Sequence, residues 1–537
     1  MDDRMQKIVS LCKRRGFVFQ SSEIYGGLKS AYDYGPLGVE LKRNLMNEWW
    51  TFMVHSRENV VGLDASIMMH PKVWEASGHL SGFSDPLVDC LISQERFRAD
   101  KAPTPSVGDE LPMECADKGQ AKAYVKAISD RFGIEMIRNG KTLWGLRVIS
   151  EEEIGFFPKG ETEASFKHPF RGYVSPTLGS PFLSEERQFN GMFKTSIGAT
   201  DPMGAVVSAI ENGDFDGLKG NDLRAAIEGI TKPSAVYLRP ETAQAMFVQF
   251  SNIQQSLALK VPFGIAQMGK SFRNEITVEH FIFRSCEFEQ MEMEFFCEPG
   301  TDDEWMNYWK DARMSWWQRY ANDPSKFRLR AHEPDELAHY SKECFDVEYD
   351  YPWGWDELEG IANRTDYDLQ KHITHSGAKL EYFDPAQNKK FVPYVIEPAA
   401  GATRGVLAYL ADAYHEEEVE GAKGPETRVV LKLHQRLAPF KAAILPLVKK
   451  DGMPEKARDI VDAFLSVGIN VKYDAQHAIG RRYRRHDEIG TPFCLTVDSQ
   501  TLEDGTITIR DRDTMVQRRI PIATAVEEIQ ELLRASI

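Results

Sequence analysis

Positive charge is in short supply in this chain: 65 lysines and arginines stand against 81 aspartates and glutamates, and 65 − 81 = −16. That balance argues against a broad nonspecific coat for nucleic acid, although a local basic track is compatible with it. Long apolar runs are missing too. No stretch of about 18 apolar residues occurs, so no membrane span is expected. The opening Met1-Asp2-Asp3-Arg4-Met5-Gln6 lacks the apolar core of a secretion signal. Cysteine is sparse, seven residues scattered over 537, and an odd number in a long chain fits reduced thiols. Internal repeats and low-complexity tracts are also absent. These absences lead to the expectation of a soluble cytoplasmic protein, long enough for about two or three domains.

What is present is charge in strand-like alternation. Gly269 to Glu275 runs into a loop, followed by Phe283 to Glu292. Because side chains alternate across a strand, Arg273 and Glu275 share one face, and Arg284, Cys286, Phe288, Gln290 and Glu292 share another. Paired as antiparallel neighbours, the two segments present arginines, carboxylates, an amide and an aromatic ring together. A buried core does not tolerate such a face unpaired. Arginines suit phosphates, a ring stacks on a base, and carboxylates hold an amine; the plain alternative is a solvated hairpin with internal ion pairs.

A second segment, Val395 to Leu410, reads as a strand, a small-residue turn and a helix opening at Arg404. Gly401 and its alanine neighbours let a ligand approach the backbone, and a helix start offers N–H groups to an anion. An ordinary strand-to-helix turn with a surface arginine is the bland alternative.

Phe272-Arg273-Asn274-Glu275 with the Arg284, Phe288, Glu292 spacing, and the turn closing on Arg404, resemble motifs of the class II aminoacyl-tRNA synthetases. Tyr32-Asp33-Tyr34-Gly35-Pro36-Leu37-Gly38 and the helical pattern through Trp49-Trp50 look like that class's dimer-forming first motif. The nearer resemblance is to glycyl-tRNA synthetases of the homodimeric kind, through Tyr237 to Gln244, Glu357 to Ala362, Arg364 to Leu369 and Tyr483 to Phe493. It runs from near residue 20 to near residue 520 and is weakest between about 100 and 230.

The resemblance implies an α+β catalytic domain on an antiparallel sheet, with an insertion, followed by a C-terminal α/β anticodon-binding domain. It implies that the chain activates glycine with ATP and transfers it to the 3′ end of tRNA(Gly), as a homodimer. By the same resemblance Arg273 bridges the α-phosphate and the amino-acid carboxylate, Glu275 sits by the adenine amino group and Phe288 stacks on the ring. Arg284 and Arg404 hold the outer phosphates, with Asn274, Phe283, Leu358 and Gly401 completing the ATP site and Glu357 contacting Mg2+. Glu241, Glu292 and Glu397 would hold the ammonium, with Arg98, Phe288, Gln290, Ala399 and Gly401 around the rest of the glycine. Three carboxylates around one amine repel one another, so their titrations are expected to be coupled.

The chain departs from the family at several points. Ala399 stands where serine is common, Thr403 where an acid is commoner, and Ala245 where glycine is usual. Cys90 is followed three residues on by Ser93, and Cys115 by Lys118, where two Cys-x-x-Cys pairs often form a zinc knuckle. Two thiolates with no nearby histidine pair do not complete a tetrahedral site, so no structural zinc is expected.

By texture, residues 1–85 and 231–436 are the expected catalytic domain, 86–230 the insertion and 437–537 the anticodon-binding domain. The charged stretch Glu416 to Pro425 reads as a linker or exposed loop. Beyond it, Ala442 to Val448, Pro454 to Val467 and Asn470 to Tyr473 form a β-α-β pattern, with further strands at Phe493 to Val497 and Thr506 to Arg510 and a last helix from about Ala523. The densest basic cluster is Arg481 to His486, where Arg481, Arg484 and Arg485 are candidates for anticodon contact. Two other readings stay open: a class II synthetase for another small amino acid, and a non-catalytic tRNA-binding relative, which would be expected to have lost Arg273, Glu275 or Arg404.

Overall fold

A computed structural model describes residues 3–535 except 29, 200, 277–279, 339–340 and 422–423. The chain forms two compact units, Met1–Ser77 with Lys194–Ile537, and Gly78–Phe193.

The larger unit is built on a seven-stranded sheet. Its strands, in chain order, are β1 (Val60–Gly62), β2 (Phe263–Phe272), β3 (Glu287–Cys297), β4 (Phe327–Ala331), β5 (Glu343–Tyr351), β6 (Gly354–Thr365) and β7 (Tyr394–Gly401). They lie in the order β4-β5-β6-β7-β3-β2-β1, antiparallel except where β1 runs parallel to β2. Helices cover one face: α1 (Pro36–Trp50), α2 (Asp302–Arg319) and, after α3 (Tyr367–Ser376), α4 (Ala402–Ala413).

The covered face follows from sequence period. In α1, Pro36 opens the helix without wasting an N–H, and Leu37, Leu41, Leu45 and Trp49 recur at four-residue spacing on one side. They pack with Trp309, Trp316 and Trp317 of α2 and Val406, Leu407 and Leu410 of α4 against Met291, Met293 and Phe295 of β3. Phe288, Gln290 and Glu292 therefore face the other way, toward an open cavity. Gly405 in α4 lets this stack close: a Cβ there would lie 2.8 Å from the Trp317 ring and 2.9 Å from Leu45.

The acidic run expected as a linker is instead β8 (Tyr414–Gly421), antiparallel to β9 (Gly424–Leu431). Glu417 is the cross-strand partner of Arg428, at 2.8 Å, and also meets Lys432 just past β9 at 2.6 Å. Opposite charges across a ladder stabilise a strand that composition alone reads as a connector.

Beyond it, β10 (Ala442–Pro446), α5 (Met453–Ser466) and β11 (Val471–Tyr473) form the expected β-α-β unit, with β10 and β11 parallel. Helix α6 (Ile479–Glu488) leads to β12 (Phe493–Val497), β13 (Thr506–Asp511), β14 (Gln517–Pro521) and α7 (Ile522–Ala535). The sheet order is β11-β10-β12-β13-β14. Asp487 of α6, fully buried, accepts from Arg428 of β9 at 2.9 Å and from Arg510 of β13 at 2.9 Å, tying this sheet to the hairpin.

The smaller unit has three three-stranded sheets and the helix Lys118–Phe132 around its own apolar core. Cys90 and Cys115 both lie in that core. Helices Pro202–Glu211 and Gly220–Thr231, within the segment expected as the insertion, group with the larger unit.

Candidate active site

Strands β2 and β3 pair as the alternation implies, with Phe272 opposite Glu287, Gly269 opposite Gln290 and Gln267 opposite Glu292. Strand β2 ends at Phe272, so Arg273 and Glu275 stand on the loop beyond it rather than on a strand face. Arg273 is fixed there by its Nε–H, which donates to the Pro240 carbonyl at 3.0 Å, and its guanidinium lies 5.4 Å from the Phe288 ring centre. The segment carrying Pro240 is itself pinned to β2. Arg239 donates from Nε to the Lys270 carbonyl at 2.8 Å, and Gln267 donates to the Thr242 carbonyl at 3.0 Å. A Cβ at Gly269 would sit 2.3 Å from the Arg239 guanidinium, so only glycine admits that approach.

One cavity gathers Arg273, Glu275, Phe283, Arg284, Phe288 and Gln290 with Glu241, Glu292, Glu357, Glu397, Ala399, Gly401 and Arg404. Asn274 is half-buried on the same loop but outside the lining, and the Leu358 side chain is turned into the apolar core. A β-bulge explains the latter: Glu348 opposes Glu357 while Val347 opposes Glu359, so alternation slips by one residue. Glu357 keeps the cavity face. Glu359 turns inward and is chelated by the fully buried Arg313 at 2.7 and 3.1 Å.

The cavity has two electrostatic ends. At one, Arg404 follows β7 directly, because the helix begins at Ala402 with Gly401 as its cap and no intervening turn. Its guanidinium lies 4.4 Å from the Phe283 ring centre and 3.0 Å from a Glu357 oxygen. The Arg404 charge holds the half-exposed Glu357 carboxyl below its usual range. Arg284 is exposed at this rim. Phosphate oxygens fit such an arginine pair.

The other end is acidic. Glu241 accepts from Gln244 at 3.0 Å. Glu292 accepts from the Thr242 amide at 3.0 Å and from the Thr242 hydroxyl, and Glu397 is chelated by Arg364 at 2.8 and 2.9 Å. Burial, then the charges of Glu397 and Glu241, push the Glu292 carboxyl up to about 8. Burial raises Glu397 as well, against the pull of Arg364. Gln290 accepts from the Ser271 hydroxyl at 2.5 Å, and Ala399 and Gly401 keep the adjoining wall small.

Sequence reasoning missed the braces. Thr242, Arg364 and Asp368 lie within quoted motif segments, yet their use appears only when β3, β6 and β7 are side by side. His332, Cys344 and Asp346 also line the cavity, with His332 Nε2 2.8 Å from Asp346. Arg330 donates to the same Asp346 carboxylate at 3.0 Å.

Two groups of candidate residues are not among those that line this cavity. Arg98 belongs to the smaller unit, where it pairs with Asp85 at 2.9 Å and Asp100 at 2.7 Å. In α6 the basic cluster is divided by helical period. Arg482 and His486 are buried, Arg482 donating to the Pro446 carbonyl at 2.7 Å, and Tyr483 bonds Thr496 at 2.7 Å. Arg484 is paired with Glu426 and Arg485 with Asp474, both at 2.6 Å, and Arg481 is exposed. Half of the apparent surface cluster is thus internal fastening.

Residues 230–413 match the family model for the tRNA synthetase class II core domain (G, H, P, S and T), and residues 441–532 match that for the anticodon binding domain. A glycine–tRNA ligase of Treponema denticola is 44% identical over 528 residues, covering 98% of this chain and 96% of its own. Those of Clostridium perfringens and Clostridium acetobutylicum are each 46% identical, covering 100% and 99% of this chain and 99% and 98% of their own.

Proposed function

The chain belongs to the glycine–tRNA ligase family, and from that membership we propose how its cavity divides the work of charging tRNA with glycine. The enzyme is an ATP-dependent aminoacyl-tRNA ligase: glycine is first activated to an adenylate, then transferred to tRNA.

The observation that carries the assignment of roles is the cavity's polarity, arginines at one end and three glutamates at the other. A glycine carboxylate oxygen attacks the α-phosphorus and pyrophosphate leaves, so catalysis is alignment of anions and neutralisation of developing charge. Arg273, between the two ends, bridges the α-phosphate and the carboxylate. Arg284 and Arg404 take the outer phosphates. Phe288 stacks on adenine beside Glu275, while Asn274, Phe283 and the backbone at Leu358 and Gly401 frame the nucleotide. Glu241, Glu292 and Glu397 hold the ammonium, with Gln290 and Ala399 closing the space a larger side chain would need. Arg98 is assigned to the glycine end on family resemblance alone. Mg2+, when bound, would be held by Glu357 and neutralise phosphate charge; a half-exposed carboxylate beside Arg404 fits that task.

We assign residues 1–85 and 231–436 to catalysis, 86–230 to the insertion and 437–537 to anticodon reading, with Arg481, Arg484 and Arg485 as candidate contacts. Two identical chains acting in the cytoplasm complete the proposal. All seven cysteines being free thiols agrees with a reducing compartment.

The test is ATP–pyrophosphate exchange with glycine, alanine and serine. Glycine-dependent exchange is expected, falling by about a hundredfold or more in Arg273→Ala. Undiminished exchange in that variant would remove Arg273 from the α-phosphate role.

A further inference from the structure

A fourth glutamate, Glu294, enters none of these roles. Glu292 opposes Ala399 and Phe295 opposes Ile396, a register that sets Glu294 directly across from Glu397. Alternation puts Glu294 after Glu292 on the same side of β3. Carboxylate oxygens of Glu292, Glu294 and Glu397 all lie within 4.8 Å of one another. Glu294 is 0% exposed, and neither of its oxygens has a hydrogen-bond partner.

The neighbouring charges are already committed. Arg364 of β6 chelates Glu397 and, at 2.7 and 3.0 Å, Asp368 of α3. Thr242 serves Glu292, and Gln244 serves Glu241 and Asp368. His372 of α3 bonds Gln244 at 3.0 Å, and burial favours its neutral form. On the β2 side the residue opposite Glu294 is Ile265, which carries no charge. An ionised Glu294 would be a bare anion facing the Glu397 carboxylate in a dry space, where like charges oppose strand pairing. Burial, then the charge of Glu397, drives its carboxyl well above the usual range.

We propose that Glu294 is a positioning residue acting as a neutral carboxylic acid, its O–H donating to the facing Glu397 carboxylate and holding the glutamates at the spacing the glycine ammonium needs. This deepens the assignment of Glu241, Glu292 and Glu397 to the ammonium and rests on it. A proton does here what a second guanidinium would do, without adding a fixed cation that repels the substrate's amine.

Glu294→Leu keeps the bulk and removes the donor, whereas Glu294→Gln restores a neutral donor of the same shape. In pyrophosphate exchange, Glu294→Leu is expected to raise the glycine KM about tenfold or more, and Glu294→Gln to recover it to within about threefold of wild type. The ATP KM is expected to hold in both. Wild-type minus Glu294→Gln infrared difference spectra are expected to contain the carbonyl band of a protonated carboxyl at neutral pH. That band does not depend on whether the leucine variant folds. Its absence, or a glutamine variant as impaired for glycine as Glu292→Gln, overturns the proposal, because Glu294 would then be ionised. If instead Glu292→Gln leaves the glycine KM unchanged, the ammonium assignment fails, and the infrared band still reports separately on the Glu294 proton.

Discussion

Arg364 carries two carboxylates at once, Glu397 and Asp368, with all three side chains nearly sealed from water. Removing one partner of such a group leaves uncompensated buried charge, which costs far more than the intact pair contributes. Arg364→Ala is therefore expected to lower folding stability by about 3–5 kcal/mol in denaturant titration. Glu292 makes the same chemistry visible in pH. Its value of about 8 lies above the ordinary carboxyl value of 4.5, so over that window the folded protein binds a proton that the unfolded chain does not. The stability this gives is fully present below about 4.5 and is lost as pH rises through about 8. On the proposed assignment the glycine ammonium favours the ionised form, so the glycine KM is expected to fall as pH rises from about 6 to about 8, at most about tenfold per unit. A KM independent of pH over that range would show that Glu292 is already ionised in the empty site. The Ala399 methyl lines this end of the cavity.

Between elements, the decisive contact is α4 lying on α1 and α2. Gly405 occupies the tightest point, and a methyl group there meets an indole ring and a leucine, both fully buried. Gly405→Ala is expected to cost about 1–3 kcal/mol and to lower the thermal midpoint. Since Arg404 precedes this residue, pyrophosphate exchange is expected to suffer as well. An unchanged midpoint would mean that the helices shift apart without penalty. The hairpin β8–β9 shows the same lesson from the opposite side. A run of glutamates reads as a connector until its partner strand sets Arg428 opposite Glu417.

For the whole molecule, an exposed apolar segment bears on assembly. Ile24 and Tyr25 are each 88% exposed and Leu28 is 60% exposed, immediately before the strand Tyr32–Tyr34 of the first motif. Exposed apolar groups close together in sequence are suited to an isologous contact between two copies. Sedimentation velocity is expected to give a dimer for the wild type and a shift toward monomer for Tyr25→Asp. A variant still fully dimeric would place the interface elsewhere. The −16 charge opposes broad nonspecific adhesion of nucleic acid.

The residues alone determined the β2–β3 pairing, the β-α-β start of the C-terminal domain and the charged groups of the cavity. Alternation and helical period are local properties of a chain, and the motif spacing carries them. Local pattern could not say where a strand ends, which placed Arg273 on a loop, nor that a bulge turns Leu358 and Glu359 inward. It could not separate Arg482, buried, from Arg481, exposed one residue earlier. Those outcomes depend on what packs opposite. Tertiary structure alone decided that Glu294 faces Glu397 across β3 and β7 while Arg364 is spent on other acids, because the protonation of a buried carboxyl is set by its neighbours in space.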